Sequence, residues 1–150
     1  MRRREPGRTP CARLRTWAQV GSAVGDGLRG MPSGHRALVA EGNQYSCSLD
    51  LDEALRGAEP QAARWDYVLA SEMRAVGMEV HPARASEVDS VVKKKRWAEQ
   101  RLADGCGLSL SRWCWIRPPG SRLHFTPLSP QARRLAQNGI EFPRARLTTC

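Results

Sequence analysis

The chain has 150 residues, of which 41% are hydrophobic and 26% charged, and it carries a formal net charge of +9. That length suits one domain with one core, and the apolar share excludes wholesale disorder. The surplus of positive charge favours a polyanionic partner such as nucleic acid, an acidic protein or an acidic membrane surface. Only three of the 24 basic residues are lysines, and a GC-rich genome would produce such an arginine excess without selection for binding.

The first 34 residues read as a flexible basic arm. Arg2, Arg3, Arg4, Arg8, Arg13, Arg15 and Arg29 stand against Glu5 and Asp26, a net of 7 − 2 = +5. GSAVGDGLRGMPSG has the composition of a linker, and RLRTWAQV has apolar spacing for a turn or two of helix. A disordered arm lying along nucleic acid, an Arg-rich presequence and a start codon placed too early all remain open for this segment.

From residue 35 the pattern becomes regular and predicts an α/β domain over 35–150. HRALVAEG and QYSCSLDL read as strands joined by Gly42-Asn43, a favourable hairpin turn. LDEALRGAEP reads as a short helix with Asp50 or Asp52 at its N-terminus. DYVLA and VGMEVH are strands. Ser86-Glu87-Val88-Asp89 opens a helix that runs to about Leu102 and stops at Asp104-Gly105. RWCWIR and RLHFT follow as strands. Ser129 and Pro130 start a further helix that Gly139 closes, and FPRARL ends the chain as an edge strand. The order predicts a single domain with a central mixed sheet flanked by helices.

Five cysteines, an odd number without a CxxC pair, read as reduced thiols and place the protein in the cytoplasm. Three histidines and no paired cysteines leave a structural zinc site without ligands. No apolar run approaches the roughly 20 residues of a membrane span, so no membrane association is expected. GxSxG, Walker and GxGxxG patterns are absent, which removes hydrolase triads, P-loops and dinucleotide sites.

The informative stretch is VGMEVHPARASEVDSVVKKK. Alternate strand residues share a face, so Val76, Met78 and Val80 point one way, and Glu79 and His81 the other. Asp66, on the preceding strand, shares a face with Val68 and Ala70. If the two strands are neighbours, Asp66 stands close to Glu79, and an acid pair on adjacent strands suits Mg²⁺. In the following helix Val88, Val91, Val92, Ala98 and Leu102 form one stripe. Lys95 falls inside that arc, where a charge needs an acid or a path to solvent. Lys93, Lys94 and Arg96 point elsewhere.

The run Asp66…Glu79-x-His81 resembles the PD-(D/E)xK nucleases of the restriction-endonuclease-like fold, in motif and element order, over about residues 50–117. The resemblance implies Asp66 and Glu79 as ligands of Mg²⁺, with the Val80 carbonyl as a third. It also implies a lysine beside the attacking water, where this chain has His81, and Trp65 stands where the family has proline. Neutral histidine gives less charge stabilisation than lysine but can act as a base, and Lys95 on the next helix is the candidate replacement. The resemblance thus implies a Mg²⁺-dependent nuclease with Asp66, Glu79, His81 and Lys95 as catalytic residues. Nucleic acid, DNA more than RNA, would be held by Arg2, Arg3, Arg4, Lys93, Lys94 and Arg96.

Each of these residues also has a plainer reading. Glu79 and His81 would be the solvated side of a hairpin, and Lys95 would pair with Glu99 or Glu87. Trp113 and Trp115 would be core, His124 would face solvent, and Arg133 and Arg134 would line a solvated helix face. On that reading the chain is an inactive nucleic-acid-binding or protein-interaction module of the same fold. A small regulator or inhibitor of another protein is the third alternative.

Overall fold

The computed structural model describes residues 9–149. Six strands make one mixed sheet in chain order: β1 (Gly25–Asp26), β2 (Cys47–Asp50), β3 (Tyr67–Ala70), β4 (Ala75–Val80), β5 (Arg112–Ile116) and β6 (Glu141–Arg144). The steps from β1 through β4 are antiparallel, while β5 and β6 each join in parallel. A parallel step needs a crossover. The first is α4 (Val88–Cys106), and the second carries α5 (Pro130–Gln137). Three further helices precede them: α1 (Pro10–Thr16), α2 (Ser33–Arg36) and α3 (Leu51–Arg56). The chain is a single α/β domain.

Both faces of the sheet are covered, which is why β3, β4 and β5 are buried almost continuously. On one face, Val68, Ala70, Trp113 and Trp115 pack with Val88, Val91, Val92, Ala98 and Leu102 of α4, the stripe that the helical spacing predicts. On the other face, Tyr67, Leu69, Val76, Met78, Cys114 and Ile116 pack with Met31, Leu38, Val39, Tyr45 and Leu147.

The boundary expected near residue 34 is corrected by the packing. Residues 9–34 belong to the domain: Cys11, Leu14, Trp17, Val20 and Met31 are all buried, and β1 pairs with β2. Thr9 caps α1 by accepting from Ala12 N at 3.2 Å, with Pro10 at the first helical position. Arg13 reaches the Cys106 carbonyl at 3.1 Å, and Arg15 pairs with Asp26. The charges therefore lie over the domain while the apolar residues between them enter the core. Gly30, read from sequence as linker punctuation, is required by close approach: a Cβ there would strike the Ser48 carbonyl. Arg2, Arg3 and Arg4 lie outside the described residues.

The cysteine expectation is corrected too. Cys11 and Cys47 form a disulfide with their Cα atoms 6.0 Å apart, tying α1 to β2, while Cys106 and Cys114 are free. Three local expectations also change. HRALVAEG is not a strand: α2 and a turn occupy it, and only Val39 bridges Leu147. Gly42 and Asn43 accordingly sit in a 3₁₀ turn rather than a hairpin. RLHFT stays irregular because β6 takes the open edge of β5. Ser129 and Gly139 do bound α5, Ser129 Oγ accepting from Ala132 N at 3.2 Å and Gly139 taking φ +70°.

The disulfide closes a separation of 36 residues, and loop-closure entropy assigns such a link about 4 kcal/mol of stability. Urea unfolding of the wild type should shift to lower midpoint on adding reductant, whereas Cys11→Ser should not respond. Equal wild-type midpoints with and without reductant would show that the link contributes nothing.

Candidate functional site

The β3–β4 ladder ends at the pair Tyr67↔Met78. One step beyond it, the Asp66 and Glu79 side chains accept hydrogen bonds from backbone amides across the strands. Asp66 N donates to Glu79 Oε1 at 2.9 Å, and Val80 N donates to Asp66 Oδ2 at 2.9 Å. Each side chain thus closes the ladder where the backbone pairing stops. Glu79 has 0% exposure. It lies on the face covered by α4, in register with Trp115.

The lysine that meets the acids is Lys94, not Lys95. Lys94 Nζ stands 2.5 Å from Glu79 Oε2. Lys95 turns to Glu99 at 2.9 Å, with its ammonium 5.4 Å from the Trp113 ring centre. The helical projection placed Lys95 correctly in the covered arc but could not say which strand lay beneath each flank. Lys94 occupies the flank toward β3, where burial lowers its pKa but Glu79, and after it Asp66 and Asp52, raise it on balance; Lys95 occupies the flank over β5.

His81 follows β4 and is pinned through its backbone: His81 N donates to Ile116 O at 3.1 Å, and Trp115 Nε1 donates to His81 O at 2.7 Å. Its ring Nε2 lies 2.9 Å from Glu87 Oε2, and its Nδ1 lies 3.8 Å from Glu79 Oε2. Glu87 is the N-cap position of α4 but makes no capping bond, so the capping box expected from Ser86 does not form. Of the catalytic candidates, the fold gathers Asp66, Glu79 and His81 and sends Lys95 away.

Burial first, and then the Asp66 charge, push the Glu79 carboxyl up to about 8 against the pull of Lys94. Burial also raises Asp66, opposed by the Val80 amide and Lys94. Asp50, the side-chain cap of α3, is raised by burial and by the neighbouring Asp52 and Asp66 charges. Asp52 is neutralised by Arg56 at 2.9 Å and Arg64 at 2.8 Å. Among the described residues, Asp66 Oδ1 has no protein donor. Two adjacent carboxyl groups whose ionisation is opposed by burial, and in Glu79 also by the Asp66 charge, fit a divalent cation on chemistry. Among the described residues no three His, Cys, Asp or Glu side chains group as a metal site, so a cation here would rest on this pair.

The residues assigned to nucleic acid separate. Lys93 is exposed on the outer face of α4, and Arg96 is exposed and donates to Asn138 Oδ1 at 3.2 Å. Lys94 is drawn into the acid pair. Arg133 is exposed on α5, Arg134 pairs with Asp89 at 2.7 Å, and His124 faces solvent. Trp113 and Trp115 are core, Trp113 standing edge-on to Trp65 with centroids 5.0 Å apart. Sequence reasoning missed Lys94 and Glu87. The signal for Glu87 was its spacing of six from His81 across a Pro-containing turn, which alone does not imply contact.

Compared with known proteins, the chain matches no family model, no curated protein and no solved structure.

The Glu79 shift sets a pH dependence. Between the ordinary glutamate range and about 8, the native state holds a proton that the unfolded chain releases. Stability therefore falls as pH rises across that window, by up to about 1.4 kcal/mol per unit. Relative to Glu79→Gln in metal-free buffer, the wild type should lose on the order of 2 kcal/mol between pH 5 and 8 in urea unfolding. Parallel profiles for the two proteins would show Glu79 ionised beside Lys94 throughout.

Proposed function

We propose that the chain is a metal-dependent nuclease of restriction-endonuclease-like architecture, acting on nucleic acid, DNA more than RNA. One observation carries the reading: Asp66, Glu79 and Lys94 converge from β3, β4 and α4 at one end of the sheet. Asp66 and Glu79 would hold Mg²⁺, and the cation would supply positive charge for the scissile phosphate and lower the pKa of water. The roles of the chain's own groups follow from their placement. Lys94 brings a fixed positive charge to the acid pair, where charge grows on a phosphoryl group under attack. It fills the part of the motif lysine that His81 vacates. His81 offers a base beside the acids. Lys93, Arg96 and Arg133 supply exposed charge for phosphates. Among the described residues no helix is long and apolar enough to cross a membrane. A nucleic-acid substrate favours the cytoplasm, whereas the Cys11–Cys47 disulfide is of a kind that forms in oxidising compartments.

A second reading has its own support. Lys94 already pairs with Glu79, and among the described residues no third His, Cys, Asp or Glu groups with the two acids, as suits an inactive module of the same fold that binds nucleic acid or a protein partner.

With Mg²⁺ or Mn²⁺ the wild type should cut plasmid or oligonucleotide DNA, and EDTA should stop it. Asp66→Asn, Glu79→Gln and Lys94→Met should each lower the rate at least about 100-fold, whereas Lys95→Met should leave it within about threefold and His81→Lys should retain it. An inactive module would cut nothing in any variant. On either reading, log affinity for DNA should fall linearly with log salt as phosphate contacts release counterions. Salt-insensitive binding, or none at low salt, would remove nucleic acid as the partner.

A further inference from the structure

We infer that a single strand of nucleic acid lies in a trough at the end of β4 opposite the acid pair, along the loop that follows α4. The inference rests on the nucleic-acid reading above and adds to it the surface and the form of the strand. Two open cavities of about 550 and 500 Å³ make the trough, and both fall within the roughly 300–1,000 Å³ of ordinary ligand sites. They share Gly107, Leu108, Ser109 and Leu110, so they meet along that loop. The first reaches Thr9 at the cap of α1, the turn between β3 and β4, and Ala75 at the start of β4. The second reaches Arg96 on α4 and Trp113 on β5. A smaller cavity of about 200 Å³ shares Arg74 and Ser111 with the first and extends it to Tyr45 and Arg112.

The charges on the walls suit phosphates. Arg13, Arg74 and Arg96 line the two larger cavities against Glu72 and Glu99, and Lys95 already engages Glu99 at 2.9 Å. Arg13 is held at the wall by the carbonyls of Cys106 at 3.1 Å and Gly107 at 3.5 Å. Arg74 and Arg96 pair with no acid among the described residues. In sequence, the eight residues that lead into Thr9 carry four arginines against one glutamate. Guanidinium groups spaced along a concave wall match the repeating charge of a phosphate backbone.

The form of the strand follows from the rest of the lining. Met73, 69% exposed at the tip of the β3–β4 turn, joins Leu108, Leu110 and Trp113. Unpaired bases have apolar faces to lay on such side chains, whereas a duplex keeps those faces stacked within itself. Lys93 lies one turn of α4 from Arg96, toward Lys94 and Glu79, so charged footing continues from the trough toward the acids.

Two measurements in EDTA, which withholds the metal needed for cleavage, test the surface. In spectra of ¹³C-methyl methionine, a short oligo(dT) should shift Met73. Met31 and Met78, 1% and 0% exposed, should stay in place. In fluorescence anisotropy at low salt, Arg74→Gln should weaken oligo(dT) binding about 3- to 10-fold. The same variant should lower the slope of log affinity against log salt by about 0.7, the value for one phosphate contact to a single strand. Only the backbone of Arg74 is bonded within the protein, so the variant should unfold at the wild-type urea midpoint. A duplex of equal length should bind at least about threefold more weakly than oligo(dT). An unshifted Met73, or equal affinity in Arg74→Gln, overturns the trough and leaves the nucleic-acid reading intact. A duplex bound as tightly as the single strand overturns the single-strand assignment. Binding of neither at low salt overturns the nucleic-acid reading and the trough with it.

Discussion

A fully buried carboxylate cannot stand alone, because removing it from water costs several kcal/mol that only close partners offset. Glu79 is that carboxylate, and its partners determine much of the surrounding geometry. The Asp66 amide must lie opposite it, which sets the β3–β4 register one step past the last ladder pair. The Lys94 ammonium must reach it, which sets where α4 crosses the sheet and how the helix is rotated. Asp66 is fixed in turn by the Val80 amide. Two acids and a base from three elements are thus brought together by one requirement for charge compensation. Even so, the compensation is incomplete: burial first, and then the neighbouring Asp66 charge, keep pushing protons onto Glu79.

The frame behind this cluster is stiff for separable reasons. The sheet interior on the α4 side is aromatic, with Trp65 against Trp113 and a run from Trp115 through Phe125 to Phe142 at centroid spacings of 5.8 and 5.6 Å. Gly77 sits where Trp65 and Trp113 cross β4, leaving the room that a Cβ would take. On the far side of the sheet order, the Cys11–Cys47 link and the burial of Leu14, Trp17 and Val20 bind the N-terminal segment to β2. β2 ends at Asp50, which caps α3 and stands near enough to Asp66 to feel its charge. The N-terminal packing therefore supports the strand beside the acids.

The basic character of the chain is spent in more than one way. Arg56 and Arg64 neutralise Asp52, Arg101 pairs with Glu59, Arg112 with Glu141 and Arg134 with Asp89. The exposed Arg134–Asp89 pair adds little stability, and together with the part-buried pairs it withdraws arginines from the free surface charge. Each pair removes one charge of either sign, so the net of +9 stands while the number of cations free to meet a polyanion falls below the total of 24 basic residues. Lys93 and Arg133 are exposed and pair with no acid there. The signal that charge alone offered is correspondingly narrower once the pairs are known.

Periodicity by itself determined the six-residue run before His81 as a strand, the buried stripe of α4 and the caps of α5, because alternation and helical spacing are local properties. Alternation left open whether the strands of Asp66 and Glu79 were neighbours; the antiparallel β3–β4 pairing settles it, with Asp66 just before β3. Tertiary structure decided what depends on a partner distant in sequence. Residues 9–34 look like a linker when their arginines and glycines are counted, but β2 and α4 give their few apolar side chains a core to enter. HRALVAEG has strand composition, but no strand lies beside it to pair with along its length. Lys94 and Lys95 are neighbours in sequence, and only the position of β3 and β5 beneath α4 sends one to Glu79 and the other to Glu99. Cys11 and Cys47 have unremarkable spacing; their approach exists because α1 lies against β2. Local pattern carries information about the face a residue presents, whereas the identity of what it meets there is a property of the assembled chain.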